Sequence, residues 1–506
     1  MATYVNDLRL KEIATGDESG TWGTSTNTNL ELIAEAWGSG SEAITGTSHT
    51  ITMADGTADA ARAFALTLTG SITATNTVTL APNTVSKTWV IQNNAGYQVT
   101  ISQGTGANVV IPNGGIKMLV TDGAGAGAAV TDVLDMTGGT DNIGLGSGAL
   151  GTAITTGIDN VAIGQGAGAA LTSGDNNTFV GDDAGKATTT GQYNVGVGAS
   201  VFETNTTGTN NVAVGMRALD ANTTGDQNVS IGGASLGANT TASNNVAVGY
   251  LALTTNTTGA SNTAVGDQAL EANTTASSNT AVGKDALTAN TTGDESVAVG
   301  KDAAITNTTG SQLVAVGKGA LYSNTTGSAN TAVGHQSLYY NTAANNTAVG
   351  KEALKANTTG DENVAVGTIA LDANTTGVHN TAVGYNALGA NTTASNNTAM
   401  GMNALAVNTT GTSNVAVGQE ALGANTTANG NTAVGLVALT LNTTGANNTG
   451  IGKGALSANT TGENNTAIGY HALDLNTTAS NNVAVGENAM ASNTTGAANV
   501  AVGQAA

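Results

Sequence analysis

The side chains that most often carry out chemistry in proteins are scarce in this chain and widely separated. Cysteine is absent, and the four histidines are His49, His335, His379 and His471. A zinc site needs Cys or His ligands at short, repeated spacings, and these histidines have no such partners. They are therefore interpreted as separate surface residues. Without cysteine, the redox compartment stays undetermined.

Pairs of acidic residues are the second candidate, since carboxylates bind calcium or act as acid and base in catalysis. The pairs are Asp182-Asp183, Asp294-Glu295 and Asp361-Glu362. They lack the repeated Gly-Gly-x-Gly-x-Asp pattern of calcium-binding β-rolls, so solvated acidic turns are favoured. The glycine-rich segments likewise lack the Gly-Lys-Ser/Thr of a phosphate loop. No catalytic, cofactor-binding or metal-binding residue is predicted, and the chain is expected not to be an enzyme.

Composition excludes further classes of protein. The 506 residues include 13 Lys and Arg against 34 Asp and Glu, for a net charge of −21. Because the basic residues occur singly along the sequence, no nucleic-acid partner is expected. No apolar run is long enough for a membrane span, and no secretion signal is recognised. With 70 glycines and only 3% aromatics, apolar surface is expected to be buried in many thin layers.

A repeat of about 17 residues occupies residues 141–506. Its marker is a glycine after a short aliphatic stretch, which recurs 22 times from Gly146 to Gly503. The consensus N-[T/V]-A-V-G-x-x-A-L-x-x-N-T-T-[G/A]-x-x is too short for a helical hairpin, and its Asn-Thr-Thr-Gly segment would terminate helices. Each repeat is therefore predicted to form one coil of a parallel β-solenoid.

Side chains alternate across a strand, so Val212 and Val214 share one face and Ala213 takes the other. We predict that the valines pack inside the coil against a second stack, the leucines that begin at Leu219. The small-residue face would then meet another copy of the chain. This arrangement predicts self-assembly, with a homotrimer as the expected state.

Two columns of asparagine are expected to bond turn backbone and to stack along the axis. One begins near Asn222, in the Asn-Thr-Thr turn, and the other runs through Asn211 but is interrupted at Ser296 and Leu313. A turn that is one residue short at residues 340–343 predicts a local irregularity. The Asn-Thr-Thr segments also match glycosylation acceptors, and rows of threonine occur in ice-binding solenoids; capping of the turn backbone is favoured.

Residues 1–42 are expected to attach the chain to a partner. Short helices are predicted over residues 5–13 and 26–37, and such helices have little apolar surface to bury alone. The candidate attachment side chains are Leu8, Leu10, Leu30, Ile33 and Trp37, of which the last three share a helix face.

Residues 43–140 show a period of two in seven stretches separated by Gly, Asn or Pro, which predicts a small β-sandwich or barrel. Residues 123–129 are interpreted as a flexible linker. The fold class is thus all-β: short N-terminal helices, a β-sandwich-like domain over 43–140 and a solenoid shaft over 141–506.

The Asn-Val-Ala-Val-Gly cores at residues 211–215 and 414–418 resemble the head repeats of trimeric adhesins of the YadA-like type. The resemblance implies a parallel β-roll in trimers, with both aliphatic residues that flank the alanine inside the coil. The chain differs from that family in its longer, 17-residue coils. Neither a secretion signal nor a membrane translocator is recognised.

Residues 1–140 resemble the virion-proximal part of tail-fibre proteins of marine bacteriophages. The resemblance implies a structural protein of the virion tail, bound to phage tail proteins at its N-terminus and directed at a host surface receptor. A homotrimeric tail fibre for host attachment is therefore expected. The alternative is a cell-surface trimeric adhesin or an ice-binding solenoid.

The last coil is expected to dock a receptor-binding protein, because the ends of its apolar columns would otherwise be uncovered. The residues concerned are Val485, Met490 and Val502. If the shaft itself binds the host, tyrosines at the coil edges are the better candidates. They are Tyr250, Tyr339, Tyr340, Tyr385 and Tyr470.

Overall fold

The computed structural model describes residues 4–5, 7–13, 19–133, 142–151 and 154–506 and divides into two compact units, Met1–Asn177 and Thr178–Ala506. A small β domain with one α-helix is followed along the chain by a parallel β-solenoid of 17-residue rungs. The predicted fold class is confirmed. The predicted boundary at residue 140 lies outside the described residues. Within these ranges no helix combines the length and apolar character needed to cross a bilayer.

The first ordered element is a small hairpin, so the helix predicted over residues 5–13 is wrong. Strands β1 (Tyr4–Val5) and β2 (Leu10–Lys11) pair antiparallel around a turn that contains one left-handed residue, with φ of 54°. Local helix propensity does not determine the structure here, because a hydrogen bond from a residue distant in the sequence stabilises the turn. The Leu8 carbonyl accepts a hydrogen bond from the guanidinium of the buried Arg62.

The helix α1 (Trp22–Ala36) corresponds to the predicted segment 26–37. It begins four residues earlier than predicted and ends one residue earlier than predicted. Its Asn29 side chain donates to the Lys11 carbonyl at 3.0 Å and accepts from the Lys11 N–H at 3.1 Å. This amide pairing turns one helix face toward the domain and buries Leu32.

The β domain consists of two sheets between which the chain alternates. Its strands are β3 (Ser39–Ile44), β4 (Ser48–Thr52), β5 (Ala65–Gly70), β6 (Asn76–Ala81), β7 (Ser86–Asn94), β8 (Val99–Ser102), β9 (Val109–Ile111), β10 (Ile116–Asp122) and β11 (Val130–Asp132). The sheet orders are β11-β10-β7-β5-β3 and β4-β6-β8-β9. All seven predicted stretches form strands, and β3 and β11 are additional.

The strands of this domain wind in coils. Strands β3, β5 and β7 pair in parallel, as do β4, β6 and β8, and antiparallel partners β9, β10 and β11 complete the sheets. Ile44, Leu66, Val78, Trp89 and Ile101 belong to the core that both sheets share. Alternation in the sequence identified the buried faces but not the parallel partners.

Residues 123–129, predicted as a flexible linker, are instead packed into the domain. Gly125–Gly127 form a 3-10 turn, and Ala128 is fully buried. The Gly106 N–H donates to the Ala128 carbonyl at 3.2 Å. The prediction is wrong because the small residues let two backbone segments pack closely and do not make the chain flexible. A Cβ on Gly106 would lie 2.6 Å from a carbonyl oxygen of this segment.

A cationic cluster lies inside the β domain. Arg62 is fully buried and donates to the Ala54 carbonyl at 2.7 Å, with an ion pair to Glu35 at 3.5 Å. The Lys87 ammonium donates to the carbonyls of residues 61–63 and lies 5.0 Å from the ring centroid of Trp89. Burial lowers the pKa of Lys87 to about 8.

The solenoid strands have three residues each and pair in parallel, mostly 17 residues apart, as Val212 does with Val229. In unit Met1–Asn177 they are β12 (Ile143–Leu145) and β13 (Val161–Ile163). In unit Thr178–Ala506 they are β14 (Thr178–Val180), β15 (Val195–Val197), β16 (Val212–Val214), β17 (Val229–Ile231), β18 (Val246–Val248), β19 (Thr263–Val265), β20 (Thr280–Val282), β21 (Val297–Val299), β22 (Val314–Val316), β23 (Thr331–Val333), β24 (Thr347–Val349), β25 (Val364–Val366), β26 (Thr381–Val383), β27 (Thr398–Met400), β28 (Val415–Val417), β29 (Thr432–Val434), β30 (Thr449–Ile451), β31 (Thr466–Ile468), β32 (Val483–Val485) and β33 (Val500–Val502).

The interior of each coil is built from the alanine, not from the valines, which corrects the predicted orientation. In a typical coil Ala213 and Leu219 are fully buried, whereas Val214 is 37% exposed and Val212 is half-buried. The leucine stack is therefore inside as predicted. The coil is so narrow that a leucine on one wall leaves room only for a methyl group on the other.

Two early coils demonstrate this pairing with a phenylalanine opposite a glycine, and the first of them reverses the two walls. Phe179 occupies the alanine position, and a Cβ on the facing Gly185 would lie 2.7 Å from its ring. Phe202 occupies the leucine position, and a Cβ on the facing Gly196 would lie 2.9 Å from its ring. Both phenylalanines are fully buried, and their rings pack edge to face with centroids 6.4 Å apart. Each large side chain is matched by a glycine across the core.

The glycine that ends each strand is required for two reasons. Gly215 has φ of +130°, which L side chains rarely adopt, and a Cβ there would lie 2.6 Å from the carbonyl oxygen of Gly232 in the next coil. The glycines thus let successive backbones approach closely.

Two ladders of buried asparagine run along the solenoid. In the first, the Asn211 side chain donates to Asn194 Oδ1 at 3.1 Å and to the Gly225 carbonyl at 2.9 Å. In the second, Asn222 donates to Asn205 Oδ1 at 2.9 Å. Both predicted columns are confirmed as hydrogen-bonded ladders.

Each ladder has a defect where the sequence departs from the repeat. In the first, Leu313 takes the place of an asparagine. Its side chain therefore offers no hydrogen-bond acceptor to Asn330, the residue at the same position of the following coil. In the second, the rung shortened at residues 340–343 turns the Asn341 amide to the Ala343 carbonyl at 2.8 Å. Asn324 Oδ1 then accepts no hydrogen bond from the described residues, although it is buried. The predicted irregularity is confirmed.

The contribution of the first ladder to stability can be tested by placing leucine at an asparagine position and asparagine at the natural leucine position. Asn380→Leu copies the natural Leu313 into a regular coil and removes bonds to Asn363 and Ala394; it should destabilise the local coils by about 2 kcal/mol. Leu313→Asn should stabilise its coils by about 1 kcal/mol. Hydrogen exchange followed by mass spectrometry on these peptides measures both. Wild-type exchange rates in Asn380→Leu would contradict the role of the ladder.

The half-buried Lys87 predicts a pH dependence of the stability of the β domain. Its pKa is about 8 when folded and 10.5 when exposed, so between these values the unfolded chain binds more protons and stability should rise with pH. Below pH 8 both states are protonated and no trend arises from this group. Urea unfolding followed by tryptophan fluorescence should show the rise in wild type and not in Lys87→Met. Lys117→Met, which removes an ion pair to Asp132, is the matched control and should keep it.

Candidate functional site

The outward face of the solenoid strands carries a continuous column of partly exposed aliphatic side chains. In unit Thr178–Ala506 the last residue of every strand is Val, Ile or Met, and the first is Thr in ten strands and Val in the other ten. Exposed fractions of 37% at Val299 and Val366 and 41% at Ile231 are typical. With 20 strands about 4.8 Å apart and columns about 7 Å apart, this face extends over roughly 90 Å.

The candidate attachment residues of the N-terminus fall into two groups. Leu30, Ile33 and Trp37 lie on one exposed face of α1, with Trp37 80% exposed. Leu8 lies on the hairpin and lines a cavity of about 350 Å³ together with Trp37. Leu10 is half-buried on β2.

The exposed helix face has one further member, which was not predicted from the sequence. Trp22, at the first position of α1, is 64% exposed. Its spacing of eight and eleven residues from Leu30 and Ile33 places all three on one side of a helix with 3.6 residues per turn. Had the helix been predicted to begin at Trp22, this residue would have been recognised as part of the exposed face.

The three residues predicted to dock another protein differ in exposure. Val502 is 71% exposed, whereas Val485 and Met490 are half-buried. The Met490 N–H donates to the Ala506 carbonyl at 2.8 Å. Docking of another protein on this coil stays a prediction.

The acidic pairs act on the backbone of neighbouring turns. The Asp294 carboxylate accepts from the Ser277 N–H at 2.6 Å, and Asp361 accepts from the Ala344 N–H at 3.1 Å. No group of three His, Asp or Glu side chains in the described ranges is arranged to hold a metal ion.

Two carboxylates on the solenoid surface titrate above their usual range. Burial raises the pKa of Asp220, against the opposing hydrogen bond from Arg217 at 3.1 Å, and burial also raises the pKa of Asp372. Each remains protonated to higher pH than an exposed aspartate. Arg217 and Asp220 also show that positions two and five residues after the rung glycine lie side by side on the surface.

Stacking of the coils assembles a basic column that the sequence analysis did not recognise. Five consecutive coils carry a basic residue directly after the rung glycine: Lys284, Lys301, Lys318, His335 and Lys351. Four of the eight Lys and Arg residues of unit Thr178–Ala506 thus lie on one edge. Aligning the repeats on their glycines would have shown the column, whereas the linear spacing made these residues look scattered.

Three tyrosines lie beside this column. The rings of Tyr322 and Tyr339 stack with centroids 4.7 Å apart and planes 9° apart, and Tyr340 meets Tyr339 edge to face at 4.7 Å. Burial, and then the neighbouring Tyr322, raises the pKa of Tyr339. Its hydroxyl therefore stays protonated over the physiological range and can donate a hydrogen bond.

Comparison of the chain with known protein-family models, with curated proteins and with solved structures finds no match.

Proposed function

We propose that this chain is a structural tail-fibre protein of a bacteriophage virion, in which copies of the chain associate as a homotrimer for attachment to a host. The observation that carries the proposal is the continuous aliphatic column on the outward face of the solenoid strands. The resemblances of the repeat to trimeric adhesin heads and of residues 1–140 to phage fibres supply the trimeric state and the virion.

An outward face of this kind needs a cover. Two columns about 7 Å apart over roughly 90 Å give an area on the order of 600 Å². The column of Val, Ile and Met is apolar throughout and the other is half threonine, so the apolar part is comparable to the largest apolar patches of ordinary monomers. Val299 and Val366 each leave 37% of their surface exposed in the single chain. A second and third copy present the same column with the same 17-residue repeat, so their valines can align along the whole length.

The exposed face of α1 supports attachment of the N-terminus to phage tail proteins. Trp22, Leu30, Ile33 and Trp37 form an apolar stripe on the helix side that the β domain leaves uncovered. Large aromatic side chains of this kind dominate the energetics of protein interfaces.

An ice-binding solenoid is the second candidate, and the threonines at the first position of half of the strands favour it. The turn threonines are less suited to this role, since their hydroxyls bond within the fold: Thr223 Oγ1 donates to the Thr240 carbonyl at 3.0 Å. Ice binding requires an uncovered face. A monomeric wild-type chain with thermal hysteresis would favour this candidate.

Charge on the outward face should prevent assembly. Val349→Asp with Val366→Asp places two carboxylates on adjacent coils at half-exposed positions, where the single chain can solvate them but an interface cannot. The variant should sediment as a monomer in analytical ultracentrifugation. Thr359→Asp with Thr376→Asp adds the same charge at exposed turn positions of these coils and should keep the wild-type oligomer. A monomeric wild type would refute the proposal.

The helix stripe should be needed for incorporation into particles. Leu30→Ser with Trp37→Ser changes side chains that are 59% and 80% exposed, so the fibre should fold and yet be lost from virions. Mass spectrometry of purified particles measures the content of fibre. Asn27→Ser with Glu31→Ser, at other exposed positions of α1, is the control. Wild-type incorporation of the stripe variant would show that attachment lies elsewhere.

A further inference from the structure

We propose that one patch of the solenoid binds an acidic polysaccharide. The cation–tyrosine patch consists of Lys318, His335, Tyr322, Tyr339 and Tyr340. The inference deepens the proposed role in host attachment and rests on it only for the source of the polysaccharide, a cell surface.

The patch is continuous because surface positions of successive coils adjoin. Gly319 lacks a side chain, and a Cβ there would lie 3.3 Å from the ring of Tyr339. The ring of one coil thus lies over the backbone of the preceding coil, next to Lys318. Tyr340 extends the aromatic surface outward and is 50% exposed. The glycine and the tyrosine together bring a cation and an aromatic platform to one place.

The central cation of the basic column is not neutralised by the fold. Lys284 pairs with Asp267 at 2.8 Å, Lys301 with Asp302 at 3.8 Å and Lys351 with Glu352 at 3.5 Å. In contrast, the Lys318 ammonium has no carboxylate at ion-pair distance in the described part of the chain. The residue after it is glycine instead of an acid. In a chain of charge −21, an unpaired exposed lysine beside three tyrosines is a specific anion-binding feature.

The chemistry of this surface fits a sugar acid. The faces of Tyr339 and Tyr340 can pack against the C–H face of a pyranose ring, their hydroxyls can bond to sugar hydroxyls, and Lys318 can pair with a carboxylate on the same chain. A tyrosine is suited to this because it has an apolar body and a polar tip. Coil edges repeat about every 4.8 Å, so one extended glycan can contact several coils.

A nucleic acid is disfavoured as the ligand, although aromatic and basic residues also bind single strands. A phosphate on every nucleotide would meet the overall negative field of the protein and the flanking carboxylates of Asp302 and Glu352. An acidic polysaccharide carries its charges more sparsely, with neutral ring surface between them. The observed patch, with one unpaired lysine and three rings, matches that distribution.

The test uses the purified full-length chain and isothermal titration calorimetry. The probes are three acidic hexasaccharides, made of galacturonate, guluronate or sialate, and the methyl ester of the galacturonate probe, which keeps the rings and removes the charge. At least one acidic probe should bind, and its affinity should fall about ten-fold or more in Tyr339→Ala with Tyr340→Ala and in Lys318→Gln. For galacturonate, the ester should bind about as weakly as the Lys318→Gln variant binds the acid.

Matched controls separate this patch from general charge effects. Tyr250→Ala removes a tyrosine of another coil that is 60% exposed, and Lys453→Gln removes a lysine that lies over Tyr470; both should bind like wild type. Absence of binding to all three acidic probes at millimolar concentration would overturn the inference. Equal affinity for a single-stranded oligothymidylate, unchanged by the tyrosine variant, would also overturn it. Neither result depends on particles, so failure here leaves incorporation into virions to be judged separately.

Discussion

The solenoid depends on one interaction, the hydrogen bonding of buried asparagine amides from coil to coil. Asn211 donates to Asn194 and accepts from the N–H of Asn228 at 2.9 Å, so each amide is satisfied only if both neighbouring coils present their asparagine at the same height. A buried polar group without a partner costs about 1–3 kcal/mol. The ladders therefore favour a constant period. At the short rung the first ladder continues, since the Asn346 N–H donates to Asn330 Oδ1 at 2.9 Å, whereas in the second ladder Asn324 Oδ1 accepts no hydrogen bond from the described residues.

The ladders occupy much of the interior, and little volume remains for apolar side chains. Leu219 and Ala213 fill it, so the larger aliphatic residues of the strand must lie outside. A chain whose interior is this narrow cannot stabilise itself by a thick hydrophobic core. The exposed valine column follows directly from this constraint.

The sequence sufficed to predict the features that identical residues at a fixed spacing must produce. The period, the leucine stack at Leu219 and both asparagine ladders follow from stacking alone. Alternation could not show which strand face lies inside, because Val212 and Ala213 are both compatible with burial. The sequence did contain a signal for the inward face. Phe179 at the alanine position is matched by Gly185 at the leucine position, and Phe202 at the leucine position is matched by Gly196 at the alanine position, so these two positions face each other inside the coil. The first helix prediction failed because the bond from Arg62 to Leu8 acts over more than 50 residues.

The proposed polysaccharide patch uses positions that the fold leaves free to vary. The glycine, alanine, leucine and asparagine positions are fixed by close approach or by burial, as at Gly215 and Asn222. The positions one, two and five residues after the glycine lie at the coil edge and differ from coil to coil. In one coil they carry the exposed Lys318, the buried Gly319 and the half-buried Tyr322. Even a residue type that is rare in the sequence can form a cluster at these positions, because stacking places it about 4.8 Å from the residue at the same position of the next coil. Individual residues in a repeat protein are thus best compared along the column, since the column determines which of them act together.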